Sequence, residues 1–370
     1  MKIIVAMGRI LLSMVYGILK LFPTKSNKVL FLSRQSDELS LDFRLLKEEL
    51  KKQRKDVEIV AICNRLDDSR KGLFGFLLDT LRSMYHMATA SVCVLDAYWP
   101  AVSLLSHKKK LTVIQMWHAI GKIKKSGYQT LDKESGRSAK TAKLMRMHRN
   151  YDIIIAGGKK FNPFYCMSFD TTEDKLLNIG LPRIDHLLMT EEENRKKAYE
   201  AYPCLKEKKV ILYAPTFRRN IQLKWEPLLN AIDFEHYVLI LKSHPNQKIT
   251  CHKEGVLMCE EFTSVDLLAV CDYLITDYSA IALEGAVLDK KTYYYLYDYE
   301  EYTKKNGINV NPFESMPGCA FVDGEELIKT LQKEDYPMEV LENYRRNYLP
   351  KELGTSTVKL AETVIQHLNE

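Results

Sequence analysis

The sequence predicts an α/β fold of two doubly wound domains, and three observations support this fold class. The chain has 370 residues, which is longer than one hydrophobic core usually serves. Apolar runs of strand length alternate with amphipathic helical stretches in two successive series. With 46% hydrophobic and 28% charged residues, the composition is that of an ordinary globular protein. Such sheets bind ligands at the carboxyl ends of their strands, so we expect a cleft between the two domains there.

The first series gives a predicted N-terminal domain over residues 27–188. Its strands are predicted at residues 29–32, 57–62, 92–95, 111–116 and 152–156. Helical patterns lie over residues 41–50, 73–89 and 136–149. This alternation indicates a parallel sheet with helices on both faces.

The second series gives a predicted C-terminal domain over residues 189–345. Its strands are predicted at residues 210–213, 237–241, 273–276 and 292–296, with helices at 264–270, 279–288, 325–334 and 338–348. A last helix within residues 346–370 is expected to pack back on the N-terminal domain. The two series together predict two α/β domains in tandem.

The first 26 residues form a predicted amphipathic, membrane-associating segment. Arg9, Ser13, Gly17 and Lys20 recur at helical spacing in an otherwise apolar stretch that ends at Pro23. Residues 1–28 carry five basic groups and no acidic one, which favours a helix lying on an anionic leaflet. A buried core helix and a true membrane span remain alternatives.

A second basic segment covers residues 119–149, with nine basic and two acidic residues. Such a segment attracts phosphorylated substrates, anionic lipids or nucleic acid, and charge alone does not separate these.

The eight cysteines form no C-x-x-C pair, so we expect reduced, mostly buried thiols. Ligand spacing disfavours zinc at Cys251, His252 and Cys259, and we predict neither a metal site nor a cofactor.

His118 follows the strand predicted at residues 111–116 and precedes a basic, glycine-containing loop. An imidazole there can take a proton at neutral pH, and the cations behind it would hold an anion beside the base. The alternative is a histidine that only satisfies a backbone carbonyl. We regard His118 as a candidate base.

Three further predicted strand ends carry groups that suit phosphates. Thr216 and Arg218 follow the strand at 210–213, and Lys242 and His244 follow the strand at 237–241. Thr276, Asp277 and Ser279 lead into a helix that carries Glu284, although Ser279 could be a simple helix cap. The glycines of a dinucleotide-binding or P-loop motif are absent, which disfavours nicotinamide and ATP-hydrolysing chemistry. The combination predicts transfer from a nucleotide-diphosphate donor.

Taken together, these residues resemble the CDP-glycerol glycerophosphotransferase family of teichoic acid biosynthesis. The matching stretches are Trp117-His118-Ala119-Ile120-Gly121-Lys122 with Lys125 and Gly127, Gly180-Leu181-Pro182-Arg183-Ile184-Asp185, Ala214-Pro215-Thr216-Phe217-Arg218, Lys242-Ser243-His244-Pro245, Asp266-Leu267-Leu268 through Asp272, Thr276-Asp277-Tyr278-Ser279 and Leu288-Asp289-Lys290 to Tyr302. Many members carry His-Gly-Thr-Pro-Leu-Lys where this chain has His118-Ala119-Ile120-Gly121-Lys122-Ile123, which looks closer to the priming branch.

The resemblance implies a GT-B-like fold of two Rossmann-like domains, with the acceptor in the first and the CDP donor in the second. It implies catalytic roles for His118 and His244. The donor would be held by Arg183, Thr216, Arg218, Lys242, Thr276, Asp277, Ser279 and Glu284. We expect Lys122, Lys124, Lys125, Arg9 and Lys20 to face the acceptor or the membrane.

The expected reaction moves glycerol phosphate from CDP-glycerol to a lipid-linked acceptor and releases CMP. The acceptor would be an undecaprenyl-diphosphate disaccharide or a primed form of it, reached from the cytoplasmic face of the cell membrane by a peripheral protein. A ribitol-phosphate transferase and a GT-B nucleotide-sugar glycosyltransferase are the alternatives. A scaffold that binds nucleic acid or membrane would explain only the basic segments, and we expect no nucleic-acid partner; oligomeric state is left open.

Overall fold

Two parallel six-stranded sheets organise the chain in a computed structural model that describes residues 2–65, 70–134, 136–216, 218, 224–242 and 250–368. The first unit comprises Met1–Ala119, Ser126–Arg183 and Pro350–Glu370, and the second comprises Ile120–Lys125 and Ile184–Leu349. The predicted α/β class with two parallel sheets is confirmed.

The first unit contains a sheet whose strand order is β2-β1-β3-β4-β5-β6, with every pairing parallel. Its strands are β1 (Lys25–Ser33), β2 (Glu58–Cys63), β3 (Ala90–Leu95), β4 (Thr112–Gln115), β5 (Ile153–Ile155) and β6 (Leu176–Leu177). The order reverses between β1 and β3, so their carboxyl ends diverge into a crevice. That is where doubly wound sheets bind ligands.

The second unit repeats this design with the order β12-β11-β10-β7-β8-β9, again wholly parallel. Its strands are β7 (Lys209–Tyr213), β8 (Tyr237–Leu241), β9 (Val256–Leu257), β10 (Tyr273–Thr276), β11 (Lys291–Tyr295) and β12 (Ala320–Phe321). Taken from β9, the order is that of a dinucleotide-binding sheet, and it reverses between β7 and β10.

Fourteen α-helices are assigned within the described residues. They are α1 (Lys2–Leu19), α2 (Leu41–Gln53), α3 (Arg70–Thr89), α4 (Pro100–Leu104), α5 (Ala139–Leu144), α6 (Asn162–Phe169), α7 (Pro182–Ala201), α8 (Glu226–Ala231), α9 (Ile281–Val287), α10 (Tyr299–Lys305), α11 (Pro312–Ser315), α12 (Gly324–Leu331), α13 (Met338–Tyr348) and α14 (Ser356–Leu368). Helices cover the buried strands, as parallel sheets require.

The core of the first unit joins the start and the end of the chain. Phe31 of β1 stacks on Phe43 of α2 with ring centroids 4.7 Å apart. Leu360 and Val364 of α14 are fully buried in the same cluster. Helix α14 therefore packs on α2 and completes the first unit.

Helix α1 turns its apolar side outward. Tyr16 is buried, and its hydroxyl hydrogen-bonds to His107 Nδ1 at 2.9 Å. The opposite side projects into solvent, with Met7, Ile10, Leu11, Met14 and Ile18 each more than half exposed. The described part of the chain holds no helix with the length and hydropathy needed to cross a bilayer.

Three predicted helices differ from those observed. The basic helix over 136–149 shrinks to α5, because Arg146, His148 and Asn150 adopt positive φ angles that a helix cannot contain. The helix at 264–270 is a single 3₁₀ turn at Asp266–Ala269. Helix α9 begins at Ile281 rather than Ser279.

Candidate active site

A cavity of about 430 Å³ lies in the first unit at the strand reversal. Residues that directly follow β1, β3 and β4 line it, among them Arg34, Tyr98 and His118. The volume is typical of small-molecule sites, which fall at about 300–1,000 Å³. The cavity therefore has both the position and the size of a substrate site.

His118 is held in one orientation at the wall of this cavity. Its Nδ1 lies 3.1 Å from the carbonyl oxygen of Asp96, which can only accept a hydrogen bond. Nδ1 therefore carries the proton, and Nε2 is the nitrogen with the lone pair. The Trp117 ring packs against the imidazole with centroids 4.1 Å apart. This tautomer is the one a general base requires.

The loop after β3 is braced by its own carboxylate. Asp96 is almost wholly buried; its side chain accepts a hydrogen bond from Ser33 Oγ at 2.7 Å and a longer one from the Arg34 amide. Burial raises the pKa of Asp96 to about 6, although these hydrogen bonds oppose the rise. The contact to Ser33 ties the ends of β1 and β3 together beneath the cavity.

Two arginines that the sequence interpretation missed line the same cavity. Arg34 Nη1 donates to the carbonyl of Tyr98 at 3.0 Å, and the Arg137 guanidinium lies 5.6 Å from the centre of the Tyr98 ring. Arg34 immediately follows β1, so the strand-end rule that singled out His118 could have found it. Arg137 belongs to the basic segment at 119–149, which the sequence linked to an anion beside His118 without singling out this residue.

The second unit brings together predicted residues at its own strand reversal. The backbone amide of Thr216 donates to both carboxylate oxygens of Asp277 at 3.0 Å, which joins the loops after β7 and β10. Thr276 Oγ1 donates to the carbonyl of Ala214 at 2.8 Å. Both strand ends are thereby fixed where a donor would be expected to bind.

Arg218 is buried at the centre of this cluster. Its Nη1 donates to Asp277 at 2.7 Å, its Nε and Nη2 donate to Asp298, and it lies over the Tyr297 ring at 4.9 Å. Burial lowers the pKa of Arg218, but hydrogen bonds to Asp298 and the charge of Asp277 outweigh this and raise it. Two carboxylates hold this guanidinium, and its side chain is 1% exposed. The phosphate contact expected of Arg218 stays a prediction.

Lys124 approaches the same cluster from a distant part of the sequence. Its Nζ lies 3.4 Å from Thr216 Oγ1 and 5.9 Å from the centre of the Tyr302 ring. Burial lowers the pKa of Lys124 to about 8, with Asp277 opposing and Arg218 reinforcing the change. Lys124 is therefore a cation of the second unit whose charge depends on pH near neutrality.

The basic segment at 119–149 divides between the two units, and burial contradicts the membrane-facing position predicted for Lys122. Ile120–Lys125 belongs to the second unit, where Ile123 accepts a hydrogen bond from the Asn309 amide at 2.7 Å. Lys122 is 2% exposed and burial lowers its pKa well below the ordinary value, so it cannot face a membrane. Lys125 is half-buried, and its backbone amide donates a hydrogen bond to the Gly307 carbonyl at 3.2 Å.

One group of potential metal ligands occurs among the described residues. Asp233, Glu235 and His236 bring their ligand atoms within 4.8 Å of one another, and all three are exposed. His236 Nδ1 already pairs with Asp233 at 2.6 Å. The group directly precedes β8, so it lies at the amino ends of the strands. The candidate site lies at their carboxyl ends, and the group is therefore not part of it.

A family model described as CDP-Glycerol:Poly(glycerophosphate) glycerophosphotransferase matches residues 14–366. The chain belongs to this family. Teichoic acid ribitol-phosphate primase of Bacillus spizizenii is 32% identical over 364 residues, which is 94% of this chain and 93% of the relative. Teichoic acid glycerol-phosphate primase of Bacillus subtilis is 32% identical over 262 residues, which is 68% of each chain. The predicted family is confirmed.

Solved structures agree on the fold. The wall teichoic acid polymerase TagF (H548A variant) covers 100% of this chain and 98% of its own, with a TM-score of 0.73 at 18% identity. UDP-GlcNAc 2-epimerase from Neisseria meningitidis covers 92% of this chain and 100% of its own, with a TM-score of 0.55 at 16% identity. These likenesses confirm the predicted GT-B-like α/β fold.

The remaining residues that the family resemblance implied fall into three groups. Lys242 donates to the carbonyls of Met258 and Cys259, while Ser279 is half-buried and Glu284 is buried on α9. Arg9 lies on α1, and Lys20 directly follows this helix and donates to the Ser106 carbonyl at 3.2 Å. His244 lies outside the described residues.

Arg183 forms an ion pair within the first unit. It belongs to the first unit, where its Nε donates to Asp42 Oδ2 and its amide to Oδ1, both at 2.9 Å. Asp42 is buried, so its charge needs this partner. The structure therefore shows Arg183 in an ion pair with Asp42, and its donor contact stays a prediction.

Proposed function

We propose that this protein transfers glycerol phosphate from CDP-glycerol to a hydroxyl of a lipid-linked acceptor and releases CMP, in the synthesis of teichoic acid or a related cell-wall or capsule polymer. The observation that carries the proposal is the orientation of His118 by the Asp96 carbonyl at a cavity in the first unit. Family membership supplies the reaction class.

His118 Nε2 would take the proton of the acceptor hydroxyl as its oxygen attacks the β-phosphorus of the donor. The new bond joins the acceptor oxygen to phosphorus, and the bond from phosphorus to the bridging oxygen breaks. CMP leaves with that oxygen as a stable anion, and the proton remains on the imidazole until solvent removes it. General base catalysis of this kind contributes about 10²–10⁴ in rate.

The second unit would hold the CDP donor at the loops after β7 and β10. Lys124 supplies a cation beside Thr216, and the resemblance assigns pyrophosphate contacts to Ser279 and His244. Arg218 would keep Asp277 and the two loops in place. Positioned cations of this kind stabilise charge on a transferring phosphoryl group.

The membrane is the proposed location because the acceptor is a lipid. The outward side of α1 and the exposed Leu77, Leu78 and Leu81 of α3 provide apolar surface, and α1 carries only basic charges. Phe22 contacts Tyr85 of α3 with ring centroids 5.8 Å apart, which joins the two helices into one surface. We propose a peripheral protein on the cytoplasmic face that binds anionic lipid in this way.

Ribitol phosphate is the second candidate for the transferred group. The specific support is the Bacillus spizizenii ribitol-phosphate primase, whose match extends over nearly the whole of both chains. Both donors share the CDP moiety, so the groups around Thr216 and Asp277 would serve either one.

The testing experiment incubates the purified full chain with acceptor and, in parallel, CDP-glycerol, CDP-ribitol or a UDP-sugar. CMP release from CDP-glycerol that depends on the acceptor supports the proposal, and release from CDP-ribitol alone favours the second candidate. UDP release without CMP would instead make the chain a nucleotide-sugar transferase.

A further inference from the structure

We propose that the cavity beside His118 binds a phosphate group of the acceptor, held by Arg34 and Arg137, so that the preferred acceptor ends in a polyol phosphate rather than in a neutral sugar. This inference rests on the proposed function and narrows its acceptor. The supporting observations concern the loop after β3 and the charges of the cavity wall.

The three residues that follow β3 organise the site. Asp96 offers its carbonyl to His118 Nδ1 at 3.1 Å, and Tyr98 offers its carbonyl to Arg34 Nη1 at 3.0 Å. Two residues span at most about 7 Å of chain, so the anchors of the imidazole and the guanidinium are close neighbours. A hydroxyl at His118 and a phosphate at Arg34 would thus belong to one small unit of a substrate.

Arg137 adds a second cation on the same wall. It lies over the Tyr98 ring, whose backbone carbonyl holds Arg34. Burial lowers the pKa of Arg34, and the positive charge of the nearby Arg137 lowers it further. No aspartate or glutamate side chain is among the described residues that line the cavity. The described lining thus presents two guanidinium groups on one wall, and such groups attract an anion.

The chemistry of the cavity favours a phosphate over a carboxylate or a bare sugar. Guanidinium groups donate paired hydrogen bonds that match the oxygens of a phosphate. The wall also contains Tyr98 and Trp117, whose rings suit the carbon skeleton of a polyol or sugar. Gly127 permits the close wall on the other side, because its φ is +58° and a Cβ atom there would lie 2.2 Å from the Ser168 carbonyl oxygen.

The phosphate could come from the last polyol phosphate of the acceptor or from the diphosphate that joins sugar to lipid. Proximity to His118 favours the last polyol phosphate, since the attacking hydroxyl and the phosphate then belong to the same polyol phosphate group. The test therefore compares two acceptors with the same lipid diphosphate and disaccharide, one ending in glycerol phosphate and one in the sugar.

The experiment measures KM and kcat for both acceptors and for CDP-glycerol, using the full-length wild type, Arg137→Gln, Arg34→Gln and the control Arg44→Gln. Arg137 and Arg44 are both exposed, so neither change endangers the fold. We expect wild type to prefer the phosphate-terminated acceptor, and Arg137→Gln and Arg34→Gln to raise its KM roughly tenfold or more. The KM for CDP-glycerol and all constants of Arg44→Gln should stay unchanged.

Three results would overturn the inference while leaving the proposed function intact. They are equal use of both acceptors by wild type, an unchanged acceptor KM in Arg137→Gln, and a rise in the donor KM instead. An Arg137→Gln effect of equal size on both acceptors would assign the guanidinium to the lipid diphosphate and also contradict it. Absence of CMP release from any CDP donor with either acceptor would refute the proposed function itself.

Discussion

His118 and Asp96 meet across the ends of the neighbouring strands β4 and β3, with the imidazole Nδ1 3.1 Å from the aspartate carbonyl. The contact uses the main chain of Asp96, while its side chain is engaged by Ser33 at 2.7 Å. The backbone of Asp96 therefore fixes the tautomer of His118, and the carboxylate of Asp96 holds the ends of β1 and β3 together. The geometry makes His118 Nε2 the basic atom of the site.

Replacement of His118 by alanine should lower kcat by about 10²–10⁴, because the acceptor hydroxyl loses its base. The Kd for CDP-glycerol should remain within about twofold, since the residues proposed to hold the donor lie in the second unit. Single-turnover CMP release and calorimetric donor binding check both statements. Activity near the wild-type level in this variant would remove His118 from the mechanism.

The buried pair of Arg218 and Asp298 should matter for stability. Their side chains are 1% and 6% exposed, so Asp298→Asn leaves a buried guanidinium with less counter-charge. We expect the free energy of unfolding in urea to fall by about 3–5 kcal/mol. The matched control Glu193→Gln breaks an exposed ion pair with Lys197 and should change it by less than about 0.5 kcal/mol. Equal losses in the two variants would contradict the positioning role of Arg218.

Lys124 should make donor binding depend on pH. Because its pKa is lowered to about 8, the amine is charged at pH 7 and becomes neutral as the pH rises through 8. The Kd for CDP-glycerol should therefore increase between pH 7 and pH 9, where the donor diphosphate itself does not titrate. Lys124→Arg keeps its charge throughout this range and should bind with a flat profile. The same slope in both proteins would show that Lys124 does not contact the donor.

The exposed apolar side of α1 should carry membrane binding. Ile10→Gln, Met14→Gln and Ile18→Gln together remove three side chains that are 57%, 59% and 65% exposed. Co-sedimentation with vesicles of anionic lipid should fall several-fold, while the urea midpoint stays the same. The control Met189→Gln, at an 82% exposed position on α7, should sediment like wild type. Unchanged sedimentation of the triple variant would place the membrane contact elsewhere.

Replacement of Arg183 by glutamine tests whether this residue has a structural role or a donor-binding role. Arg183→Gln should reduce the free energy of unfolding by about 1.5–3 kcal/mol, because buried Asp42 loses its charged partner. The KM for CDP-glycerol should be unchanged. A higher donor KM at normal stability would restore the role that the family resemblance suggested.

Alternation of strands and helices was enough to predict the fold. The strand at residues 273–276 agrees with β10, because its apolar residues are bounded by Asp272 and Asp277. The segment at 136–149 misled because basic residues at helical spacing do not reveal the positive φ angles at Arg146 and His148. Those angles depend on tertiary packing, which includes the His148 ring against Phe169, with centroids 4.6 Å apart.

The alternation of strands and helices also made part of the candidate site predictable. His118 and Asp277 directly follow strands, so their positions came from the order of elements. The position of Lys124 could not be predicted in this way, because Lys124 pairs with Ile308, which is far away in the sequence. The burial of Arg218 between Asp277 and Asp298 likewise depends on contacts between distant residues.

Mass analysis of the lipid-linked acceptor after incubation with CDP-glycerol tests the transfer itself. Wild-type protein should give an acceptor heavier by one glycerol phosphate, together with an equal amount of CMP, and His118→Ala should give no such product. An acceptor of unchanged mass after CMP has been released would contradict the proposed transfer, and the same product from His118→Ala would contradict the role of His118.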